Sequence, residues 1–586
     1  LYAIIIHTIM EKIRLLKYFK GYRAIAIFGA IFKCIEAIIQ LFIPLSFARI
    51  IDEGIGVTPH NPDIIWKYSL IILACIIVSF GFSVCGQFFS SKAGAGVASN
   101  ARLAMYEKIS TFSFPELDKF GVASLNNRVT RDIDQLHQSI SRFVRFILRI
   151  PTVVIGSLVV LFVIHWTLAI IIILAVPIVG AFLILIMYLL RKAIPLTASA
   201  RDKVTKVTRE NIKGAKIVRA FTNENHETGR FNFVHSEFER SVIHLSKITS
   251  LTQPVVSIIM GLALVILYVM GAIQLGNSAF TLGELPILTS YSHELVLVFV
   301  ASVEFVIIIG SGRASWARIR EVLIVQPTIT NSINSIEFSF DSNSMIEFRN
   351  VSFSYDNSEY GVNNINLRIH SGESIGIIGP TGSGKTSLIN LIPRFNDVTS
   401  GSIFINGTNI RDIELHSLRD NISFVSQIPD MLSGTIRTNL EFGKVHAQEE
   451  LDLAIRISDA TDIIKNKNDG IDEVVYADGK NFSLGQRQRL SLARAIAKDN
   501  QILILDDATS ALDNITDALI YKELKLMPHR PTLIVVSQKI RTLLQMDRII
   551  LMDNGKISMI GSHDELLKKS SLYRKIAISQ GYEGNK

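Results

Sequence analysis

Long apolar runs fill the chain up to about residue 311 and then give way to shorter runs that alternate with polar residues. A helix that crosses a bilayer needs about 20 largely apolar residues. Six stretches meet that need, at roughly 22–50, 67–90, 143–165, 167–190, 253–275 and 283–311. Only His165 and Trp166 separate the third from the fourth, which predicts a tight turn at one interface. The gaps after the second and fourth, 91–142 and 191–252, are long, helical in pattern and poor in breakers, so the helices are expected to run well past the membrane. Within these gaps FPELDKF (114–120) and ENIKGAKIVRAFTNENHE (210–227) read as short turns at the tips. QPTITNSINSIEFSFDSNS (326–344) is mostly polar and uncharged, and reads as a linker. The expected organisation is therefore a six-helix membrane domain over 1–325, the linker 326–344 and a soluble domain over 345–586.

Charge orients the spans. The two long gaps are rich in Lys and Arg, among them Arg102, Lys108, Arg128, Arg191, Lys192 and Arg201. The connection DEGIGVTPHNPDIIWK carries three acids and one Lys, and QLGNSAFTLGEL carries no basic residue. Positive charge favours the cytoplasmic side, so the long gaps, the basic N-terminal region and the C-terminal half are expected there, in a multi-pass protein of a bacterial inner (plasma) membrane. The mean hydropathy of +0.34 fits this, and the pI of about 9.2 points to anionic headgroups rather than nucleic acid. Cys34, Cys75 and Cys85 all lie in apolar runs without metal-ligand spacing and imply no disulfide framework. The opening LYAIIIHTIMEKIRLLKYFK does not read as a removable signal peptide, and Met10 is a candidate start.

In the soluble half SIGIIGPTGSGKTS (374–387) combines a buried-strand pattern, a glycine-rich loop and a helix start. It fits G-x-x-x-x-G-K-[ST] from Gly379 to Thr386, through Thr381, Gly382, Ser383 and Gly384, with Ser387 following. Glycines let backbone N–H groups wrap phosphate oxygens, Lys385 can reach the outer phosphates, and the Thr386 hydroxyl can ligate Mg²⁺. Further on, LILDDATSALD (503–513) ends an apolar run in two carboxylates, Asp506 and Asp507.

VSFSY (351–355), the glycine loop, FVSQ (424–427), NFSLGQRQRLSLARAI (481–496), ILILDD (502–507) and SALD (510–513) follow one another in the order of an ABC-transporter nucleotide-binding domain. With six preceding spans the chain resembles an ABC exporter half-transporter over nearly all its length. The resemblance implies an α-helical six-span domain followed by an α/β P-loop NTPase domain of the ABC type with a helical subdomain. It implies ATP and Mg²⁺ as ligands, with Tyr355 stacking on adenine, and with Thr386, Gln427 and Asp506 at the metal. Ser483, Gly485 and Gln486 belong to the signature, which faces a nucleotide held by the opposite subunit, so a second half-transporter is implied as partner. The turns 114–120 and 210–227 resemble coupling helices.

The sequence departs from that pattern at four places. Asp507 stands where the family usually has a Glu that polarises the attacking water, and Gln538 stands where it usually has a His beside the γ-phosphate. The shorter carboxylate falls short of a water that must be held within ~3 Å, and an amide cannot be cationic. Leu484 replaces a signature glycine, and Ala477 replaces a Glu just before the signature. The expectation is a degenerate site, with Asp507, Gln538 and Lys385 as its catalytic set, in one half of a heterodimeric, multidrug-type exporter of drug-like, amphipathic or lipid-like molecules. A homodimer with two slow sites, or a channel-like subunit gated by ATP, are the alternatives. Inside the spans, Lys33 and Glu36 are three apart and able to pair along one helix face. His293, Glu294 and Glu304 on the sixth span have no basic partner in their own helix, and either meet the partner subunit or line a substrate path.

Overall fold

The computed structural model describes residues 14–276, 281–337, 345–355, 361–527 and 529–582. The chain divides into two compact units. One is made of residues up to Thr111 together with Gly121–Val325, and the other of Phe112–Phe120 with Gln326 onward. Part of the linker (338–344) and the start of the chain, with Met10, lie outside the described residues.

The first unit is helical. A short 3-10 helix, Arg14–Phe19, precedes α1 (Arg23–Arg49), and α2 (Pro62–Ser110) follows. Pro62 opens α2 at a position where its missing N–H costs nothing, and the Asn61 side chain accepts from Ile64 N. The tip helix α3 (Phe114–Phe120) belongs to the second unit. Then come α4 (Ile133–Ile164), α5 (Trp166–Lys213), α6 (Ala215–Ala220), α7 (Glu224–Ser250), α8 (Thr252–Gly276) and α9 (Glu284–Ile324). Six helical segments among the described residues are long and apolar enough to cross a membrane. The turn between α4 and α5 is a single extended residue, His165. α2 and α5 are 49 and 48 residues long and continue well beyond the apolar stretches 67–90 and 167–190.

Small residues let these helices approach closely. A Cβ added to Gly94 on α2 would lie 2.1 Å from Ser141 Oγ, and one on Gly312 of α9 would lie 2.3 Å from Ser139 Cβ. Such approaches suit packing in lipid, where van der Waals contact rather than water exclusion holds helices together. Several charged residues inside the spans are paired. Lys33 Nζ bonds Glu36 Oε2 at 2.6 Å and donates to Ser83 Oγ at 3.0 Å. Arg149 of α4 approaches the same Glu36 at 3.8 Å. At the far end of α9, Arg318 and Ser315 both donate to Asp132.

The second unit holds two main sheets. Strands β1 (Met345–Ser354), β2 (Gly361–His370), β4 (Ser400–Ile405) and β5 (Thr408–Asn409) form an antiparallel sheet ordered β2-β1-β4-β5. The other sheet takes β3 (Ser374–Ile378), β6 (Ile422–Val425), β9 (Ile502–Asp506), β10 (Thr532–Val536), β11 (Arg548–Asp553) and β12 (Lys556–Gly561), ordered β12-β11-β3-β10-β9-β6. All its neighbours pair in parallel except β11 and β12. A two-stranded piece, β7 (Gly434–Thr435) with β8 (Val474–Val475), lies in the helical region between β6 and β9. The strands β3, β9 and β10 are buried throughout, as expected of parallel strands covered on both faces. The α3 segment is tied into this unit. Glu116 accepts from Ser113 N at 2.9 Å and Thr328 N at 3.1 Å, and the Phe114 ring sits 4.8 Å from Phe395.

Lys33 and Glu36 are 5% and 3% exposed, so breaking the pair leaves a charge buried. Glu36→Leu is expected to destabilise the protein by about 3–5 kcal/mol, read as a lower thermal midpoint in detergent. The double change Lys33→Met with Glu36→Leu should recover most of the loss. Equal damage from single and double variants would refute the pairing.

Candidate nucleotide-binding site

The register of the parallel sheet builds this site. Val536 lies opposite both Asp506 and Ile377, so β3, β9 and β10 end side by side. The crevice beyond the carboxyl ends of parallel strands is where α/β sheets bind ligands. From β3 the chain enters the glycine loop and then α10 (Lys385–Asn390). Gly384 caps this helix at φ +91°, and a Cβ there would meet Gly361 O at 2.9 Å. At Gly379 a Cβ would stand 2.1 Å from Met552 O, so the loop's first residue has no room for a side chain.

A cavity of about 370 Å³ opens here. Tyr355, Thr381, Gly382, Gly384, Lys385, Thr386, Ser387, Gln427, Asp506, Asp507 and Gln538 all line it. Gly379 and Ser383 lie behind this lining, where each accepts from Lys385 Nζ (Gly379 O at 2.9 Å, Ser383 Oγ at 3.4 Å). Pro380 O also accepts, at 2.7 Å. Gly361 and Val536 line the cavity without a sequence signal of their own. Ser483, Gly485 and Gln486 are not part of it. They open α11 (Leu484–Ala497), where Ser483 Oγ accepts from Gln486 N and Gln486 Oε1 accepts from Ser483 N, a reciprocal cap. Leu484 is 46% exposed at the first position of the helix, so it leaves that cap undisturbed. Ala477 lies on an exposed 3-10 turn before it.

The charges in the cavity are poorly solvated. Burial lowers Lys385, against the opposing pull of Asp506 and Asp507. Burial raises Asp506 above the usual carboxylate range, while the Thr386 hydroxyl, which donates to Asp506 Oδ1 at 3.2 Å, holds it down. Asp507 is likewise raised by burial and held down by Lys539, the Gln427 side chain, Lys385 and the Gln538 N–H. Asp507 has φ +50° and donates its N–H to Val536 O at 2.9 Å. Lys539 is the residue that motif reading passes over. Its Nζ donates to Thr509 O at 3.0 Å and Leu512 O at 2.8 Å, tying the SALD turn to the strand end that carries Gln538.

The donor set fits Mg²⁺. Thr386, Asp506 and Gln427 offer hard oxygens on one wall, and a single carboxylate with phosphate oxygens is the usual Mg²⁺ arrangement. Among the described residues no group of three or more His, Cys, Asp or Glu forms an all-protein metal cage.

The comparisons decide the family. Residues 26–299 match the ABC transporter transmembrane region and 362–510 match the ABC transporter domain. An ATP-dependent lipid A-core flippase of Desulfotalea psychrophila is 32% identical over 518 residues, 86% of this chain and 89% of the relative. The chain belongs to the ABC transporter family. It is an ATP-driven exporter in which six long apolar helices precede the ABC nucleotide-binding domain, and that domain implies ATP binding. An uncharacterised ABC transporter ATP-binding protein of Bacillus subtilis, YfiB, is 29% identical over 576 residues, 97% of this chain and 99% of the relative. An uncharacterised relative in Mycobacterium tuberculosis is 28% identical over 573 residues, 96% of this chain and 97% of its own. Half-transporters of this family typically dimerise, and these relatives are bacterial.

The membrane residues of the exporter fall differently. On α9, His293 and Glu304 are exposed in the single chain and Glu294 is half-buried. Arg149 of α4 faces Glu294 as well as Glu36. Arg145 donates to Ser91 Oγ at 2.8 Å. These two arginines are intramembrane cations that a hydropathy reading does not single out. Cys34 approaches Thr152 Oγ1 at 3.2 Å, whereas Cys85 is exposed.

An Asp raised by burial takes up its proton at higher pH than a free aspartate, and a Mg²⁺ ion held at Asp506 would compete with that proton. Mg²⁺-dependent nucleotide affinity is expected to be full at neutral pH. It should weaken as pH falls through the raised Asp506 value, by up to about tenfold per pH unit for one displaced proton. Thr386→Val removes the hydroxyl that holds Asp506 down, and a metal donor with it, so it should lower the affinity at neutral pH and also move the acid limb to higher pH. Binding of a fluorescent ATP analogue with Mg²⁺ across the pH range checks it, and an unmoved limb contradicts it.

Proposed function

We propose that this chain is the degenerate-site half of a heterodimeric exporter that moves amphipathic, lipid-like or drug-like molecules out of the cytoplasm of a bacterium, across its inner membrane. The observation that carries the reading is the pairing of Asp507 with Gln538 on one cavity wall. Relative to Glu, Asp507 is shorter by one C–C bond, about 1.5 Å, so a water held by its carboxylate stands back from the phosphate. Gln538 can donate a hydrogen bond but carries no positive charge to stabilise the transition state.

ATP supplies the phosphoanhydride whose binding and cleavage drive the cycle, with Mg²⁺ screening its phosphates. Lys385 and the loop N–H groups hold the phosphates, Thr386, Gln427 and Asp506 hold the metal, and Tyr355 stacks on the base. The signature cap at Ser483, Gly485 and Gln486 presents helix N–H groups outside this cavity, which suits a nucleotide held by the partner. The partner, a second half-transporter, supplies the competent Glu and His and most of the turnover. The tips at 114–120 and 210–227 couple the nucleotide domains to the spans. Lipid-like cargo is supported by the similarity to lipid A-core flippases. The α9 groups His293, Glu294 and Glu304 are the candidates for a substrate path. Among them, the opposing Arg149 makes Glu294 the weaker candidate for cationic cargo.

The chain alone is expected to hydrolyse ATP slowly. Asp507→Glu with Gln538→His should raise its turnover by on the order of a hundredfold, measured as phosphate release at saturating Mg²⁺-ATP. Fast turnover by the unaltered chain would remove the degenerate reading. In the heterodimer, replacing the partner's Glu should abolish hydrolysis, whereas Asp507→Asn here should reduce it only in part.

For cargo, Glu294→Gln with Glu304→Gln should weaken transport of cationic amphiphiles more than of neutral ones and leave basal ATPase unchanged. Loss of assembly or thermal stability instead would assign the two carboxylates a structural role.

A further inference from the structure

A second cavity, of about 580 Å³, lies in the membrane unit, far larger in apolar surface than the nucleotide site. Its size is that of an ordinary small-molecule site, roughly 300–1,000 Å³. The 3-10 helix before α1 supplies Leu15, Leu16 and Phe19, and α1, α4 and α9 supply the remaining walls. Its lining is apolar apart from Ser139 and three residues on its rim and floor: Arg23, Arg313 and Trp316. Ser139 is already satisfied, donating to Gln135 O and Ile308 O. Among the described residues no acidic side chain lines the cavity.

Two observations point to a ligand. Trp316 is 3% exposed, yet its indole Nε1 is buried without a hydrogen-bond acceptor among the described residues. A buried N–H left unpaired costs on the order of 1–3 kcal/mol. The ring itself is fixed, with Tyr18 packed edge-on at 5.5 Å. The second observation is charge. Arg313 is exposed and has no ion pair among the described residues, and Arg23 makes only a 3.3 Å bond to Leu16 O. Lys17 and Lys20 are exposed beside Arg23. In a 3-10 helix residues three apart eclipse one another, so Leu16 and Phe19 share the face that meets the cavity.

We propose that this cavity holds an anionic phospholipid of the cytoplasmic leaflet. An acyl chain fills the apolar body, the phosphate meets Arg23 and Arg313, and the Trp316 N–H donates to a phosphate or ester oxygen. Basic residues and tryptophan at the end of a span are where headgroups sit. The site is separate from the nucleotide cavity and from His293, Glu294 and Glu304, none of which line it, so it stands or falls independently of the degenerate-site reading.

The chain has three tryptophans, so Trp66→Phe with Trp166→Phe leaves Trp316 as the fluorophore of the full chain. This variant is reconstituted with phospholipids brominated on the acyl chain. Brominated phosphatidylglycerol is expected to quench Trp316 at on the order of a tenfold lower membrane fraction than brominated phosphatidylcholine, given two basic contacts. Arg23→Gln with Arg313→Gln should erase that preference, whereas Arg191→Gln with Lys192→Gln, an equal loss of charge elsewhere, should retain it. Native mass spectrometry of the otherwise unaltered chain gives a second reading. Bound phosphatidylglycerol should survive detergent extraction and be lost in Trp316→Phe and in the Arg23, Arg313 double variant. Equal quenching by both lipids, or an anionic preference indifferent to Arg23 and Arg313, would overturn the proposal. So would quenching by neither lipid, which would mean that protein, such as residues preceding Arg14, covers the groove.

Discussion

The nucleotide unit is organised around three charges held out of water at one edge of a parallel sheet. Lys385, Asp506 and Asp507 share a cavity wall, and burial pushes each toward its neutral form. Charges in that state act on one another more strongly than they would in water, Lys385 attracting both carboxylates while the two carboxylates repel each other. The arrangement exists because β3, β9 and β10 pair in a register that ends all three strands together. A slip of one residue in β9 would turn Asp506 away from Thr386 and toward the opposite face of the sheet. Hydrophobic burial of these strands therefore fixes the position of the polar groups, and the lysine's hydrogen bonds to loop carbonyls keep the cradle shaped.

The membrane unit obeys the same rule under a harsher solvent. With no water in the hydrocarbon, each ionisable side chain needs a partner from the protein. Lys33 finds Glu36 and Ser83, Arg145 finds Ser91, and Arg149 approaches Glu36 and Glu294. Most of these contacts join different helices, so they also fix how α1, α2, α4 and α9 face one another. Close approach at Gly94 and Gly312 makes the contacts reachable.

Two features of the nucleotide unit bear on how it works with a partner. Ser483, Gly485 and Gln486 lie at the start of α11 and do not line the cavity that holds Lys385 and Asp506. Between the two regions, Lys539 fastens the turn after Asp507 through Thr509 O and Leu512 O, while Gln488 donates to Ser510 Oγ and accepts from Ala511 N. The turn is thus held from the strand end that carries Gln538 on one side and from α11 on the other.

The sequence by itself determined the number of long apolar helices and the glycine loop. Each of these is a local property: apolar length, or a spacing that only a phosphate loop needs. The ordered motifs also carried the family. Only the tertiary structure decided what those motifs share. Eleven of the expected residues, from Tyr355 to Gln538, are drawn to one cavity by strand register, whereas Ser483, Gly485 and Gln486 are held apart from it on another helix. Gly361, Val536 and Lys539 carry no signature because their roles come from backbone position or from a reach across the fold. Nothing in the local sequence singles out Arg149 or Trp316. Their surroundings are built from helices more than a hundred residues apart, and a one-dimensional pattern holds no record of such distances.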